Sequence, residues 1–414
     1  MFKIRHRTEK ENIIFSGAFS DAKTATLTPF DNMPDYKTIS KFSEKKINKV
    51  KQNKFSGDEE FIKLYNKYIP KNITVEEPEI RVNHIYEAIP VPASNIILKG
   101  DVAGHHSFFD PSVDVCMAER FNDILIDPRS KKMAYRFSGQ PVRMSEALSL
   151  HGQCAGNYAH FLCEVLPRLL IFDNAGISKS APILLDDGWL HPNHIKLVKI
   201  FNRERREIIR VGRNHPAFVH HLFDVSPTAY APPEYRWFVE GKEMQATPSD
   251  VYRFSKPALD LVRNFDLDRK LMDSPYGEKI FLSRKVNEHS TGRDLPSKAH
   301  LEKIASLHGF EVVNTSEMGV LEQIALFRAA KVVVAPIGAS MANLIFTPPG
   351  CKIICLSPIY KNANYYYFSK LMSVLGHDLT YIVGPQIDGP SHHPFHKNYH
   401  IDCDDFYEQL AQLA

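Results

Sequence analysis

One run of the chain, NYAHFLCEVLPRLLIFDNAGI from Asn157 onward, carries polar groups at intervals of three and four: Asn157, His160, Glu164 and Arg168. On an α-helix this spacing puts all four on one face, while Phe161, Leu162, Val165, Leu166, Leu169 and Leu170 form the apolar side. A histidine or glutamate on such a ridge is a candidate general base, able to take the proton from a hydroxyl group as its oxygen attacks. Pro167 removes the amide that would donate to the Cys163 carbonyl, so the helix is expected to bend where Glu164 and Arg168 meet. The competing reading is a solvated face on which Glu164 and Arg168 pair, a contact worth only about 0.3 to 0.5 kcal/mol. The helix follows the extended run ALSLHG, and ligands of open α/β sheets bind at such strand ends, which favours function. Asp186 and Asp187 close a second extended run, PILLDD, and are further base candidates, although paired aspartates before a glycine equally suit a turn.

Two later segments suit an anion. In KVVVAPIGASMANLIF, from Lys331 to Phe346, a buried strand ends at Pro336, the chain turns through Gly338, and Ala339, Ser340 and Ala342 open a helix. The first amides of a helix have no partners within it and, with the positive end of the dipole, bind phosphate. A glycine between strand and helix also serves plain turns. In FLSRKVNEHSTGR a strand ends at Ser283, followed by Arg284, Lys285 and, after a polar loop, Arg293. Strand ends of a doubly wound sheet share one crevice, so Arg284 is placed to meet the same phosphates with two-pronged hydrogen bonds. For that arginine by itself, a surface basic loop is the plainer reading.

Other chemistries find less support. His105 with His106, His191 with His194, His220 with His221, and His392, His393 and His396 form clusters, but none joins Cys, Asp or Glu at a zinc-site spacing, so no metal is expected. No G-x-G-x-x-G turn follows a strand, which argues against a dinucleotide-dependent oxidoreductase. Six cysteines suggest no disulfide framework. Cys351 and Cys355, read on one strand, would lie about 13 Å apart and could not bridge.

The elements that must position these groups fall into two stretches. Between Asn95 and Val225, extended runs at NIILKG, DILIDP, MAYRF, ALSLHG, PILLDD and EIIRVG alternate with helical periodicity. Pro227, Pro232 and Pro233 lead to Trp237 as a connection, and a less regular segment follows to about Ser274. After Pro275 the alternation is regular: strands EKIFLSR, FEVVN, KVVVAP, KIICLS and DLTYIV take turns with helices SKAHLEKIASLHG, VLEQIALFRAA, ASMANLIF and NYYYFSKLMSVLG. Such alternation implies parallel strands with helices on both faces. A last helix, DDFYEQLAQL, is placed to pack back across the first domain. The expected divisions are 1–90, an N-terminal extension, partly helical and basic; 91–230 and 231–390, two α/β domains; and 391–414, a tail and helix.

Composition sets the bounds. A chain of 414 residues, 43% hydrophobic, can fill two cores, and 51 basic against 48 acidic residues excludes the cationic excess of a dedicated nucleic-acid binder. No stretch approaches the roughly 20 apolar residues of a membrane span, and MFKIRHRTEKENIIF has charges where a signal peptide needs an apolar run, so a cytoplasmic location is expected. From Lys37 to Lys54 seven lysines face the single acid Glu44, with Ile39, Phe42, Ile47 and Val50 at roughly helical intervals. A basic amphipathic helix there would touch the inner face of the cell membrane, and an ordinary solvated helix or tail is the favoured alternative.

Taken in order, NYAHFLCEVLPRLL, KIFLSRK, GFEVVN, LEQIALFRAAKVVVAPIGASMANLIFTPPG and KIICLSP resemble the family 61 glycosyltransferases, which include bacterial capsule and lipopolysaccharide enzymes and plant and animal xylosyl- and N-acetylglucosaminyltransferases. The resemblance implies an α/β fold of GT-B type, two Rossmann-like domains facing a cleft, with 91–230 taking the acceptor and 231–390 the nucleotide sugar. It implies inverting, metal-independent transfer to a glycan or lipid-linked acceptor, with no cofactor beyond the nucleotide sugar. The positions that match are His160, Glu164, Pro167, Arg168, Arg284, Glu322, Gln323, Gly338, Ala339, Asn343 and Phe346. The resulting candidates are His160, Glu164 or Asp186 for catalysis. Arg284, Arg293, Gln323, Gly338, Ala339, Ser340 and Asn343 are candidates for the donor, and Asn157 and Arg168 for the acceptor or cleft. A metal-free enzyme must neutralise a departing diphosphate with arginines and a helix start, which these segments supply. Two positions depart from the pattern: Ile337 stands where the family usually has histidine, and Cys355 where it has an acid able to hold a ribose. Those departures favour the alternative of a non-catalytic glycan-binding or scaffold protein.

Overall fold

A computed structural model of the chain describes residues 22–50, 53–71, 73–111, 114, 116–120, 123–127, 130–137, 139–186, 190–213, 215–231, 251–267, 275–284, 293–387 and 396–413. The fold is mixed α/β with several sheets. The chain divides into two compact units: the described residues to Ile47 with Glu76–Val262, and Asn48–Val75 with Arg263 onward.

In the first unit, four parallel strands stand side by side in the order Ile208–Val211, Ile183–Asp186, Val142–Ser149 and Ala217–Val225. Chain order therefore runs outward from Val142–Ser149 on one side and resumes on its other side, which makes the gap between Val142–Ser149 and Ala217–Val225 a topological switch point. All four residues of Ile183–Asp186 are buried, as a strand covered on both faces requires. The long strand Ile80–Pro90 pairs antiparallel with Ala217–Val225, and Tyr36–Ser43 pairs with Ile80–Pro90 in turn. Further strands extend the sheet: Ile97–Lys99, Val102–His105, Lys23–Pro29, Lys132–Tyr135 and Ile124–Asp127.

The basic stretch from Lys37 is strand, not helix: Tyr36–Ser43, Lys46–Val50 and Lys54–Gly57. Thr38, Ile39, Ile47 and Val50 are β-branched, and the sheet edge offered by Ile80–Pro90 outweighs a weak helical period. Lys41 pairs with Glu44 and Glu79, and Lys45 with Glu76, so part of the positive charge is met within the protein.

The second unit holds five parallel strands in the order Glu311–Val313, Lys279–Leu282, Val332–Pro336, Lys352–Ile359 and Asp378–Ile387. Helices Lys298–Leu307, Val320–Ala329 and Tyr366–Leu375 connect them in the alternation expected. The switch point lies between Lys279–Leu282 and Val332–Pro336, where the strand order reverses. Lys54–Gly57 adds a parallel strand beside Asp378–Ile387, a strand from the N-terminal third that local pattern did not reveal. The final helix, Cys403–Ala411, does not pack across the first domain. Phe406 and Leu410 join the apolar core of Phe281, Leu301, Ala305 and Ile401, all of the second unit. The segment before Ser274 contains the helix Lys256–Arg263, and Trp237, Pro232 and Pro233 lie outside the described residues.

Candidate active site

At the switch point of the first unit, strand register sets Ser149 opposite Asp224, both at carboxyl ends. The helix that follows begins with a cap: Asn157 Oδ1 accepts from the Ala159 amide at 2.9 Å. After one α-turn, Phe161–Val165 is π-helical, and Leu166–Ala175 then continues as α-helix to the left-handed cap Gly176. Single π turns gather at functional sites. Pro167 explains part of the irregularity, because it has no amide for the Cys163 carbonyl, which accepts instead from Thr228 Oγ1 at 2.5 Å.

The ridge is solvated only at its start, where Asn157 is exposed and His160 half-buried. Glu164 and Arg168 are buried, and Arg168 retains only 2% exposure. His160 Nδ1 lies 2.7 Å from Glu164 Oε1, so the pair formed at spacing four is His160 with Glu164. The expected Glu164–Arg168 pair is replaced: Arg168 donates to Asp224 Oδ1 at 2.7 Å, to the Ser149 carbonyl at 3.0 Å and to the His151 carbonyl at 2.5 Å. A π turn holds one residue more than an α turn, and this carries Arg168 out of phase with Glu164 and toward the strand ends. An imidazole whose Nδ1 is held by a carboxylate has its tautomer set and accepts a proton at Nε2.

Arg168 sits among Asp224 and His151, which sequence patterns did not single out, and His106 of one histidine pair. Burial pushes the Asp224 carboxyl up to about 6, although Arg168 pulls it down. Burial first, then the Arg168 charge, brings His151 down to about 3, and the backbone of Pro90 and Val91 offsets this only in part. His106 is held well below its ordinary value by the same two causes, with its Nε2 3.9 Å from Asp224 Oδ2. Burial also lowers Arg168, with Asp224 the main opposing influence. A polar residue such as Asp224 in a buried strand end was the available signal. Its partner Ser149 is 75 positions away, and only strand pairing reveals it. Asp186 is buried at the carboxyl end of the adjacent strand Ile183–Asp186, and Asp187 lies outside the described residues.

In the second unit, register sets Phe281 opposite Val334, so Arg284 leaves its strand beside the turn at Ile337 and Gly338. Arg284 and Arg293 lie close enough that Arg293, after burial, holds the Arg284 guanidinium below its ordinary value. Lys298 joins them, with Nζ 2.8 Å from the Arg284 carbonyl. Arg293 has φ 64, a left-handed backbone for a residue with a side chain, and its buried Nε has no hydrogen-bond partner among the described residues. Lys285 and the loop to Gly292 lie outside the described residues.

The chain bends at Ile337 and Gly338 as expected, with Gly338 itself extended at φ 167 and ψ 177, and the helix that follows, Ala339–Phe346, is 3-10. A Cβ at Gly338 would come no nearer than 4.0 Å to the Pro336 carbonyl oxygen. Neither backbone conformation nor packing calls for glycine there, so the space outside it suits the close approach of a ligand. Ala339 and Ser340 share the half-buried start of that helix. Gln323 and Asn343 are placed differently from a donor-facing pair: Asn343 Nδ2 donates to Gln323 Oε1 at 3.0 Å, and Gln323 Nε2 to the Thr315 and Met318 carbonyls. Both are buried and tie the helix Val320–Ala329 to the 3-10 helix. Cys355 is fully buried in mid-strand with Sγ 3.6 Å from Met341 Sδ, and Ile337 is half-buried at the turn.

The histidine pairs serve local structure. His191 and His194 cap the helix Pro192–Phe201, and His84 Nε2 meets His221 Nδ1 at 3.0 Å across two strands. His392 and His393 lie outside the described residues.

Residues 158–354 match the family model Glycosyltransferase 61, from the helix of His160 through the turn at Gly338. The match supports a family 61 glycosyltransferase. His160, Glu164, Arg168, Arg284, Arg293 and Gly338 all fall inside the matched span. No curated protein matches the chain. No helix among the described residues is long and apolar enough to cross a membrane.

Proposed function

We propose that the chain is an inverting, metal-independent glycosyltransferase that moves a sugar from a nucleoside-diphosphate donor to a glycan or lipid-linked acceptor, in a GT-B-like arrangement. The observation that carries the donor half is the cationic group at the second unit's switch point: Arg284 and Arg293 lie together, with the charge of Asp294 offsetting part of their repulsion. Two guanidinium groups held near each other against their repulsion favour a dianionic ligand, and a diphosphate takes two-pronged hydrogen bonds from both. Gly338 leaves room beside them, and the first amides of the helix Ala339–Phe346 add donors.

The acceptor half rests on His160. With Nδ1 bonded to Glu164, the ring takes the acceptor hydroxyl proton at Nε2 as that oxygen attacks the anomeric carbon and the sugar–phosphate bond breaks toward the diphosphate. The arginines meet the charge that develops on the leaving group. Asp186 remains the alternative base, Asn157 and Arg168 order the helix, and Gln323 and Asn343 support the donor turn from behind. Action in capsular or lipopolysaccharide synthesis, at the cytoplasmic face of the membrane with the lysines of 37–54 toward its lipid, completes the proposal.

A panel of nucleotide sugars tests it through slow donor hydrolysis by the purified chain. One donor is expected to turn over, with at least 100-fold loss in His160→Gln. Binding without turnover would instead favour a glycan-binding scaffold, the reading suggested by Ile337. No response to any donor or free nucleotide would end the proposal.

A further inference from the structure

On this ridge of the helix one carboxylate, Glu164, has two candidate cations four residues away on either side, His160 and Arg168. In an isolated helix the permanent charge of arginine would be the stronger competitor for it. Here Arg168 is taken by Asp224 Oδ1 at 2.7 Å and by two backbone carbonyls, while Glu164 holds His160 at 2.7 Å. The two carboxylates thus divide the two cations between them. Asp224 comes from the strand Ala217–Val225, is 4% exposed, and among the described residues has no hydrogen bond to its second oxygen, Oδ2, so its burial is not explained by a saturated polar network.

From this arrangement we infer that Asp224 is a positioning residue for the site: by holding Arg168 it keeps Glu164 on His160 Nδ1. This deepens the proposed role of His160 and rests on it for its catalytic meaning, but the partition of charges is testable without turnover. Arg168 still feels Glu164, whose charge favours its protonated form, and the two stand four residues apart on one helix. The carbonyls of Ser149 and His151 alone offer Arg168 dipoles and no countercharge, whereas Glu164 offers a full one.

The test uses the full chain labelled with 15N-histidine, the His160 ring signals being assigned by their loss in His160→Gln. Asp224→Asn keeps an oxygen for the Arg168 hydrogen bond and is expected to fold. Its His160 ring nitrogens should shift in the same direction as in Glu164→Gln. The double variant Asp224→Asn/Glu164→Gln should coincide with Glu164→Gln alone, because the partner to be lost is already gone. Asp224→Glu, which restores the charge, should move the signals back toward wild type. Asp224→Asn signals that coincide with wild type, or shifts that add in the double variant, would overturn the inference, as would failure of Glu164→Gln to move His160. Donor hydrolysis separates this result from the functional reading: if His160→Gln keeps full turnover while the signals behave as expected, the charge partition stands and the catalytic role falls.

Discussion

Arg168, reaching from its helix, and Arg284, leaving its strand, both meet carboxyl ends of strands beside a switch point, yet their surroundings differ. Arg168 is buried, bonded to a carboxylate and two carbonyls, and opposed by Asp224 in charge. Arg284 is half-buried, has another arginine for its neighbour, and forms no ion pair among the described residues. A cation that the protein neutralises is part of its framework. A cation set beside another cation waits for an anion from solution. The same residue type beside the same kind of switch point is thus part of the framework in one unit and, in the proposed function, a ligand for the donor phosphates in the other.

The sharpest way to break the comparison is to delete each arginine. Arg168→Ala strands the Asp224 carboxylate in the interior and leaves two carbonyls without donors, so a loss of about 3 to 5 kcal/mol in urea unfolding is expected. Arg284→Ala, which removes no internal ion pair, should change unfolding by less than about 1 kcal/mol. Equal losses would place both arginines in the framework.

Acid sharpens the comparison next. His151, held near 3, and His194, held near 4 by burial, bind protons in the unfolded chain at ordinary pH values but not in the folded one. Their contribution is fully present above about pH 6.5 and is lost as pH falls toward those values. Asp224, raised to about 6, acts oppositely, since the folded state takes up its proton between about pH 6 and 4 where the unfolded state does not. Two histidines outweigh one aspartate, so denaturation of the first unit at pH 5 should show a loss on the order of 3 kcal/mol relative to pH 7. His151→Gln should flatten that slope, and a slope unchanged by it would contradict the burial of a neutral ring.

A smaller effect concerns the π turn. Thr228→Val removes one donor to the Cys163 carbonyl, at a cost of about 1 kcal/mol by thermal unfolding. No change would show that Pro167 leaves nothing to satisfy.

The two regions also differ in how far the amino-acid order disclosed them. After Pro275 the five parallel strands are short apolar runs such as VVVAP between helices, and local pattern sufficed to place these, though not the short antiparallel Asn398–Tyr399. The first unit depends on long-range pairing. Ile80–Pro90 and Ala217–Val225 carry Asn83, His84, His220 and His221 among their apolar residues, which obscures the alternation, and the N-terminal strands are stabilised by partners remote in sequence. His160, Glu164 and Arg168 were visible as a ridge, but their pairing was not, because the π turn and Asp224 decide it. Gln323 and Asn343 look donor-facing from their matched positions, but one hydrogen bond joins them and Gln323 Nε2 is held by the Thr315 and Met318 carbonyls, which no sequence pattern shows.

Calorimetric titration of nucleoside diphosphates into wild-type chain and Arg284→Ala, paired with their unfolding curves, bears most directly on the contrast between the arginines. Wild type should bind one of them, and Arg284→Ala should lose at least tenfold in affinity, about 1.4 kcal/mol, with its stability intact. Undiminished affinity in Arg284→Ala, or no binding by wild type, would contradict the account.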